Sequence, residues 1–440
     1  MADMTEEKDK INGLSIKERY FDWAATALAD EDILHDALEK SLADGANPSS
    51  VHAAGLAARH AFESARARCA AALGVKPENV IFTSGGTESD QIPILALLRR
   101  PQKGSLLISA IEHPAVSAQA ELMKNCGWRV ITVPCNSDGI VTPEAVIARI
   151  EDDTALVCIM AVNNETGAIQ PVYEIADAMT AHCRGKRRPK FHVDAVQAAG
   201  KIPFELSYPG IDTAAISAHK LCGPRGIGIL YMKDRFEPFL KGGGQESGMR
   251  SGTENLFGAL ALAACLERYY MRGRLGAADV SGTVASSGAA GATSASGAKR
   301  EDATGVSNAT GATSSAGSAY AAEEERTARF IEKLKALPYC TLIPENRKPV
   351  DGRFAPGVVQ ASFANIPGEV MVRALSEKGF YISTGSACSA RKSQRPVLAA
   401  MGIKGEKAAN AVRFSFSSHS TDEGAEMLFA AVSEVAGRFN

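Results

Sequence analysis

No run in this 440-residue chain approaches the roughly 20 apolar residues that a membrane-spanning helix needs, so no helical membrane anchor is expected. Neither sign of charge dominates. The 48 Lys and Arg stand against 50 Asp and Glu, a formal net charge of -2, which disfavours a role built on long-range attraction to nucleic acid or an anionic membrane. The nine cysteines (69, 126, 135, 158, 183, 222, 265, 340 and 388) include no Cys-x-x-Cys pair and no Cys/His cluster at zinc spacing, so no metal site is expected. Their odd, scattered count points to a reducing compartment. The first twenty residues have no apolar core of a signal peptide and are too acidic for a transit peptide, and a cytoplasmic location is the expectation.

The composition leaves an ordinary globular protein, 45% hydrophobic and long enough for two or three domain-sized units. Alanines, arginines and apolar residues recur at helical spacing from 54 to 73, and Gly74 then stands where a C-cap belongs. Short apolar runs at 80–82, 106–108, 130–133, 156–160 and 191–193 alternate with helical stretches such as 143–150. That alternation predicts an α/β fold with a mainly parallel sheet flanked by helices, and ligands at the carboxyl ends of its strands. Residues 276–322 are nearly all Gly, Ala, Ser and Thr and hold too little apolar surface to offset ordering entropy, so a disordered insertion is expected there. Helical patterning resumes at 323–337, and a smaller α+β domain closes with a helix over 423–439.

Three motifs carry chemistry. Thr83-Ser84-Gly85-Gly86-Thr87-Glu88 follows one strand and opens a helix; its N–H groups and hydroxyl suit a phosphate cup, although a simple capped turn explains it as well. Asp194 ends the strand of Phe191-His192-Val193, with Gln197 three residues on. It either caps the next turn or pairs with a protonated pyridine nitrogen. Ser217-Ala218-His219-Lys220 precedes a glycine-rich turn, and burial there would lower the lysine's pKa and free its amine for a Schiff base.

With these motifs the chain from about Tyr20 onward, the insertion apart, resembles the cysteine desulfurases of the class V aminotransferase family. The matching stretches, in the family's order, include YFDWAATA (20–27), NPSSVH (47–52), TSGGTESD (83–90), EHPAV (112–116), NNETGAIQP (163–171), HVDAVQAAGK (192–201), SAHKLCGPRGIG (217–228), GGGQESGMRSGTEN (242–255), STGSACSAR (383–391) and VRFSF (412–416). The resemblance implies a fold type I transferase dependent on pyridoxal 5'-phosphate. Residues 1–30 would join the small domain, 31–275 form the large cofactor-binding domain, and 323–440 the small domain with the cysteine loop.

The resemblance also assigns roles. Lys220 is similar to the Schiff-base lysine, Asp194 to the partner of the pyridine nitrogen, and His113 to the imidazole stacked on the ring. Gln197 matches a residue reaching the ring's phenolic oxygen, and Asn164 one close to cofactor and substrate. Gly86, Thr87, Ser217 and His219 match phosphate binders, and Thr253 one that reaches the phosphate from the neighbouring subunit of a homodimer. Arg413 matches the residue that grips the carboxylate of L-cysteine, and a planar guanidinium suits that task. Cys388 is similar to the sulfur-accepting cysteine, and its small polar neighbours with Arg391, Lys392 and Arg395 would favour a thiolate. The implied activity is conversion of L-cysteine to L-alanine, with a persulfide on Cys388 passed to an acceptor protein such as an iron–sulfur scaffold or a tRNA-thiolation enzyme. A selenocysteine lyase or another class V aminotransferase is the alternative. Trp23, Gln91, Ser247, Ser417 and Ser418 depart from the usual pattern, as does the insertion.

Overall fold

The computed structural model describes residues 13–271, 311–385 and 395–440, with side chains of the second stretch described from residue 319. Strands form where aliphatic and β-branched residues run together. They are Val80–Thr83 (β1), Ser105–Ser109 (β2), Arg129–Val133 (β3), Thr154–Met160 (β4), Lys190–Asp194 (β5), Thr213–Ser217 (β6) and Gly228–Met232 (β7), in one seven-stranded sheet of order β1-β7-β6-β5-β4-β2-β3. From β3 across to β6 every pairing is parallel; β7 runs antiparallel to both β6 and β1. Two reversals restore the direction, so β1 points the same way as β6. The carboxyl ends of β1, β4, β5 and β6 therefore share one edge.

The sheet is covered on both faces, as whole-length burial of β1, β2, β4, β6 and β7 requires. Alternation within strands sorts the side chains. Leu107, Val157 and Ile159 enter one core with Phe62, Phe191 and Leu266, while Leu106, Leu156 and Cys158 enter another with Val116, Met123 and Trp128. Helices Ala53–Leu73 (α1), Gly86–Ala96 (α2), Pro114–Asn125 (α3) and Leu256–Tyr269 (α4) supply these layers. The first ends at Gly74, whose φ of 71° and N–H bonds to the carbonyls of Ala70 and Ala71 make it the expected cap.

A separate antiparallel sheet, β10-β9-β8, comprises Ala411–Ser415, Val358–Phe363 and Cys340–Ile343. Its core is aromatic: Phe330, Phe363 and Phe414 pack with Phe21 from the N-terminal segment. That segment is stitched in by backbone bonds from Phe21 to Tyr381 (2.8 Å) and from Ser415 to Phe21 (2.7 Å). Burying a phenylalanine is worth about 3 kcal/mol, so residues 20–27 are firmly seated where they pass.

The sheet is mainly parallel, as expected, with β7 the antiparallel member, and the fold differs from expectation at two points. The helix of the C-terminal part, Gly311–Lys335 (α5), starts inside the stretch expected to be disordered; extending a helix already anchored at 323–335 costs far less than nucleating one. The remainder of that stretch, 276–310, lies outside the described residues. The helix expected over 143–150 stops at Ile147. Among the described residues no helix is long and apolar enough to cross a membrane.

Candidate active site

The shared edge opens onto a cavity of about 280 Å³. At one end, β1 stops at Thr83 and the chain turns through Gly85, at φ 148°, into α2. A Cβ on Gly86 would stand 2.7 Å from Cγ2 of Val196, so only glycine lets the start of α2 lie against the turn after β5. The unbonded N–H groups of that helix start, with Thr87 and Ser217, make an anion-suited corner of the cavity. β6 ends at Ser217, and a single 3-10 turn, rather than the strand itself, carries His219 and Lys220. His219 shares a 3.2 Å bond with Thr26, and burial followed by Lys220 pushes its imidazole down to about 4, so it is neutral near pH 7.

In the middle stand Asp194, His113 and Lys220. Asp194 is 5% exposed at the end of β5; one oxygen accepts from Val196 N–H at 3.0 Å, so the turn-capping reading is also realised. Burial raises its carboxyl above the usual range, opposed by His113 and Lys220. His113 caps α3, its Nδ1 accepting the Ala115 N–H at 3.1 Å. An accepting Nδ1 leaves Nε2 to carry the proton of the neutral ring, and burial lowers the pKa, which keeps it neutral. Lys220 Nζ donates to the carbonyls of Ala24 and Ala25 at 2.7 and 2.6 Å. The Ala24 carbonyl also accepts from Gln197 Nε2 at 2.8 Å.

At the other end Arg413, 1% exposed on β10, donates to the Asn164 carbonyl at 2.8 Å and to Asp22 at 2.7 Å. Its Nε is buried without a partner. Gly385 closes this end and is the last described residue before Cys388, which lies outside the described residues along with Arg391 and Lys392. Arg395, counted above among the charges favouring a thiolate, is committed elsewhere. It donates to the carbonyls of Thr384, Ala408 (3.2 Å) and Ala411 (3.3 Å) and lies 3.7 Å from Glu165, joining the two ends of the cysteine-bearing segment.

Gly86, Thr87, His113, Asn164, Asp194, Gln197, Ser217, His219, Lys220 and Arg413 thus line one cavity. Thr253 does not; it is exposed, away from this chain's own cavity. Sequence reading passed over a buried group beneath Asp194. His192 bonds Asp90 at 3.0 Å and Thr213 at 2.9 Å, while Glu112 accepts from Ser109 (2.5 Å) and Met160 N–H (2.8 Å). Burial drives His192 down to about 3, Glu112 up to about 8 and Asp90 well above its ordinary value. Burial thus favours the neutral form of both neighbouring carboxyls, and Glu112 is protonated at pH 7. Asp194 differs from them in that His113 and Lys220 act against burial and favour its ionised form. All three residues sat inside quoted motifs, but nothing local distinguishes them from solvated ones.

A family model for class-V aminotransferases matches residues 19–284 and 304–428, and the chain belongs to that family. Its relatives include a NifS/IcsS protein homolog of Lactobacillus delbrueckii subsp. bulgaricus, 33% identical over 96% of this chain and 98% of that protein. The cysteine desulfurase IscS of Methanosarcina thermophila is 31% identical, over 95% and 92% respectively. Among solved structures, a NifS-like protein superimposes with a TM-score of 0.78 at 30% identity, covering 96% of this chain and all of that one.

Proposed function

We propose that the protein is a cysteine desulfurase dependent on pyridoxal 5'-phosphate, converting L-cysteine to L-alanine and leaving the sulfur as a persulfide on Cys388. One observation carries this reading: Lys220, Asp194, His113 and Arg413, far apart in sequence, line a single cavity at the strand ends. The relatives named for that activity support it. In this reading residues 31–275 bind the cofactor, while residues 1–30 and 323–440 supply the substrate side.

The cavity suits the cofactor. Unbonded N–H groups at the glycine turn suit its phosphate, with Gly86, Thr87, Ser217 and His219 around it; Thr253 of a second copy would complete the set in a homodimer. Asp194, whose ionised form His113 and Lys220 favour, suits a protonated ring nitrogen. When bound, the group supplies an electron sink that weakens the bond between the substrate's β-carbon and sulfur. The protein's own residues do the rest.

Arg413 holds the substrate carboxylate through the guanidinium edge whose Nε has no protein partner, with Asn164 beside it. Lys220, the residue that would hold the cofactor, is steadied by the carbonyls of Ala24 and Ala25 and would remove the substrate's α-proton as general base. His113 carries its proton on Nε2 and serves the departing sulfur's side. The Cys388 thiolate attacks the substrate sulfur, the sulfur–carbon bond breaks, and its electron pair and a proton remain with the three-carbon product. The sum is one cysteine and one thiol converted to one alanine and one persulfide. The persulfide then passes to an acceptor protein in the cytoplasm.

The test is release of alanine and sulfide from L-cysteine with a reductant. Wild type is expected to give equal amounts; Lys220→Ala should give neither, and Cys388→Ala should keep the cofactor's visible band without sulfur transfer. Wild type that holds the cofactor but makes neither product overturns the desulfurase reading.

A further inference from the structure

A second cavity, of about 160 Å³, shares Lys220 with the first and is otherwise lined by different residues, among them Lys201, Glu323, Trp23, Ser417 and Ser418. Three of these, Trp23, Ser417 and Ser418, are positions where the sequence departs from its family. Lys201 lines only this second cavity, yet its Nζ donates at 2.5 Å to Oε1 of Gln197, which lines the first. Gln197 Nε2 donates to the Ala24 carbonyl, the same oxygen that accepts from Lys220 Nζ. An ammonium only donates, so its partner must be the amide oxygen. The amide nitrogen of Gln197 is thereby committed to Ala24 and to the cavity.

We propose that Lys201 is a positioning residue of the desulfurase reaction: it fixes the amide of Gln197 with its N–H side toward the cofactor's ring oxygen, and holds a positive charge one side chain away from Lys220. This rests on the proposed function above. Lys201 touches neither substrate nor cofactor and works through Gln197.

The charged and titratable groups facing Lys201 come from five places: Asp22 in the N-terminal segment, His219 and Lys220 after β6, Cys222 in the following turn, Glu323 on α5 and Arg413 on β10. Burial, then Lys220 and Arg413, push its amine down to about 7, while Glu323 and Cys222 act the other way. Glu323 is itself raised to about 7, chiefly by burial. Below neutrality Lys201 is charged; as pH rises through about 7 the charge is lost.

The experiment follows the visible band of the bound cofactor against pH in the holoenzyme, with no cysteine added. A nearby cation disfavours a protonated nitrogen at Lys220, so Lys201→Met is expected to raise the midpoint by about one pH unit. It should also weaken cofactor binding about tenfold, the size of one charge-assisted hydrogen bond. Lys201→Arg restores the midpoint. Lys201→Gln, which donates without charge and covers the case of a poorly folding Met variant, raises the midpoint while cofactor binding holds. A packing defect would weaken binding without moving the midpoint, and the bulkier arginine would not correct it. An unmoved midpoint in both Lys201→Met and Lys201→Gln with an intact band overturns the Lys201 proposal and leaves the desulfurase reading standing; wild type with no band overturns both.

Discussion

The two ends of the cavity are built differently. At the strand ends of the large sheet, Asp194, His113 and Lys220 are each held by backbone groups: the Val196 N–H, the Ala115 N–H, and the Ala24 and Ala25 carbonyls. At the Arg413 end two guanidinium groups tie separate elements together. Arg413 meets the Asp22 carboxylate and the Asn164 carbonyl, while Arg395 joins the carbonyls of Thr384, Ala408 and Ala411 beside Glu165. The first set stands at the ends of one sheet; the second depends on how the N-terminal segment, the Asn164 turn and the small sheet meet. The first arrangement suits a cofactor that stays, the second a substrate that comes and goes.

The contrast can be broken most severely at Arg413. Arg413→Lys keeps the charge but loses the paired donors, and kcat/KM for L-cysteine is expected to fall about 100-fold, with the cofactor band unchanged. A fall in cofactor binding instead would mean that the two ends are not separable. A smaller effect is expected at Arg395. Arg395→Met unties the base of the cysteine-bearing segment and should slow sulfide release about tenfold, again without altering the band, because its partners lie away from the strand-end groups. Steady-state rates with absorbance on the same samples decide it.

The smallest effect sharpens the strand-end side. Glu112 titrates at about 8 in the folded chain against 4.5 as its ordinary value, so the folded state binds the extra proton. Its contribution to stability is complete below about 4.5 and is lost as pH rises toward about 8. Glu112→Gln keeps the oxygen that accepts from Ser109 and Met160 and has nothing to titrate. Denaturant unfolding of the apo-protein should therefore become less stable with rising pH in wild type between pH 5 and 8, and be flatter in the variant. Equal slopes would mean that Glu112 is ionised in the folded chain at neutral pH.

How far the sequence could be read follows the same division. Strands β1 to β5 and Gly74 announced themselves by apolar runs and a stop signal, because burial within a covered sheet demands such runs. The direction of β7 was not written in Gly-Ile-Leu-Tyr-Met, since strand polarity depends on the connection and not on the residues. The residues given roles at the cavity were legible through motif resemblance, whereas the parts played by Asp90, Glu112 and Lys201 were not. Their meaning comes from losing water, and no local pattern encodes which carboxyl or amine will lose it. Arg395 was read for its charge, although its position among carbonyls determines its use. The start of α5 was missed because composition argues about ordering entropy per residue and ignores a helix already anchored downstream.

The backward run of β7 has a consequence for how the molecule is made. Its strand β1 has β7 as its sheet partner, a segment some 150 residues later, so the edge carrying the glycine turn is left without its neighbour until Gly228–Met232 has been synthesised. The corner suited to phosphate is among the first parts of the chain to leave the ribosome and among the last to find its place, and a nascent chain halted before residue 228 would have the parallel strands but no cradle.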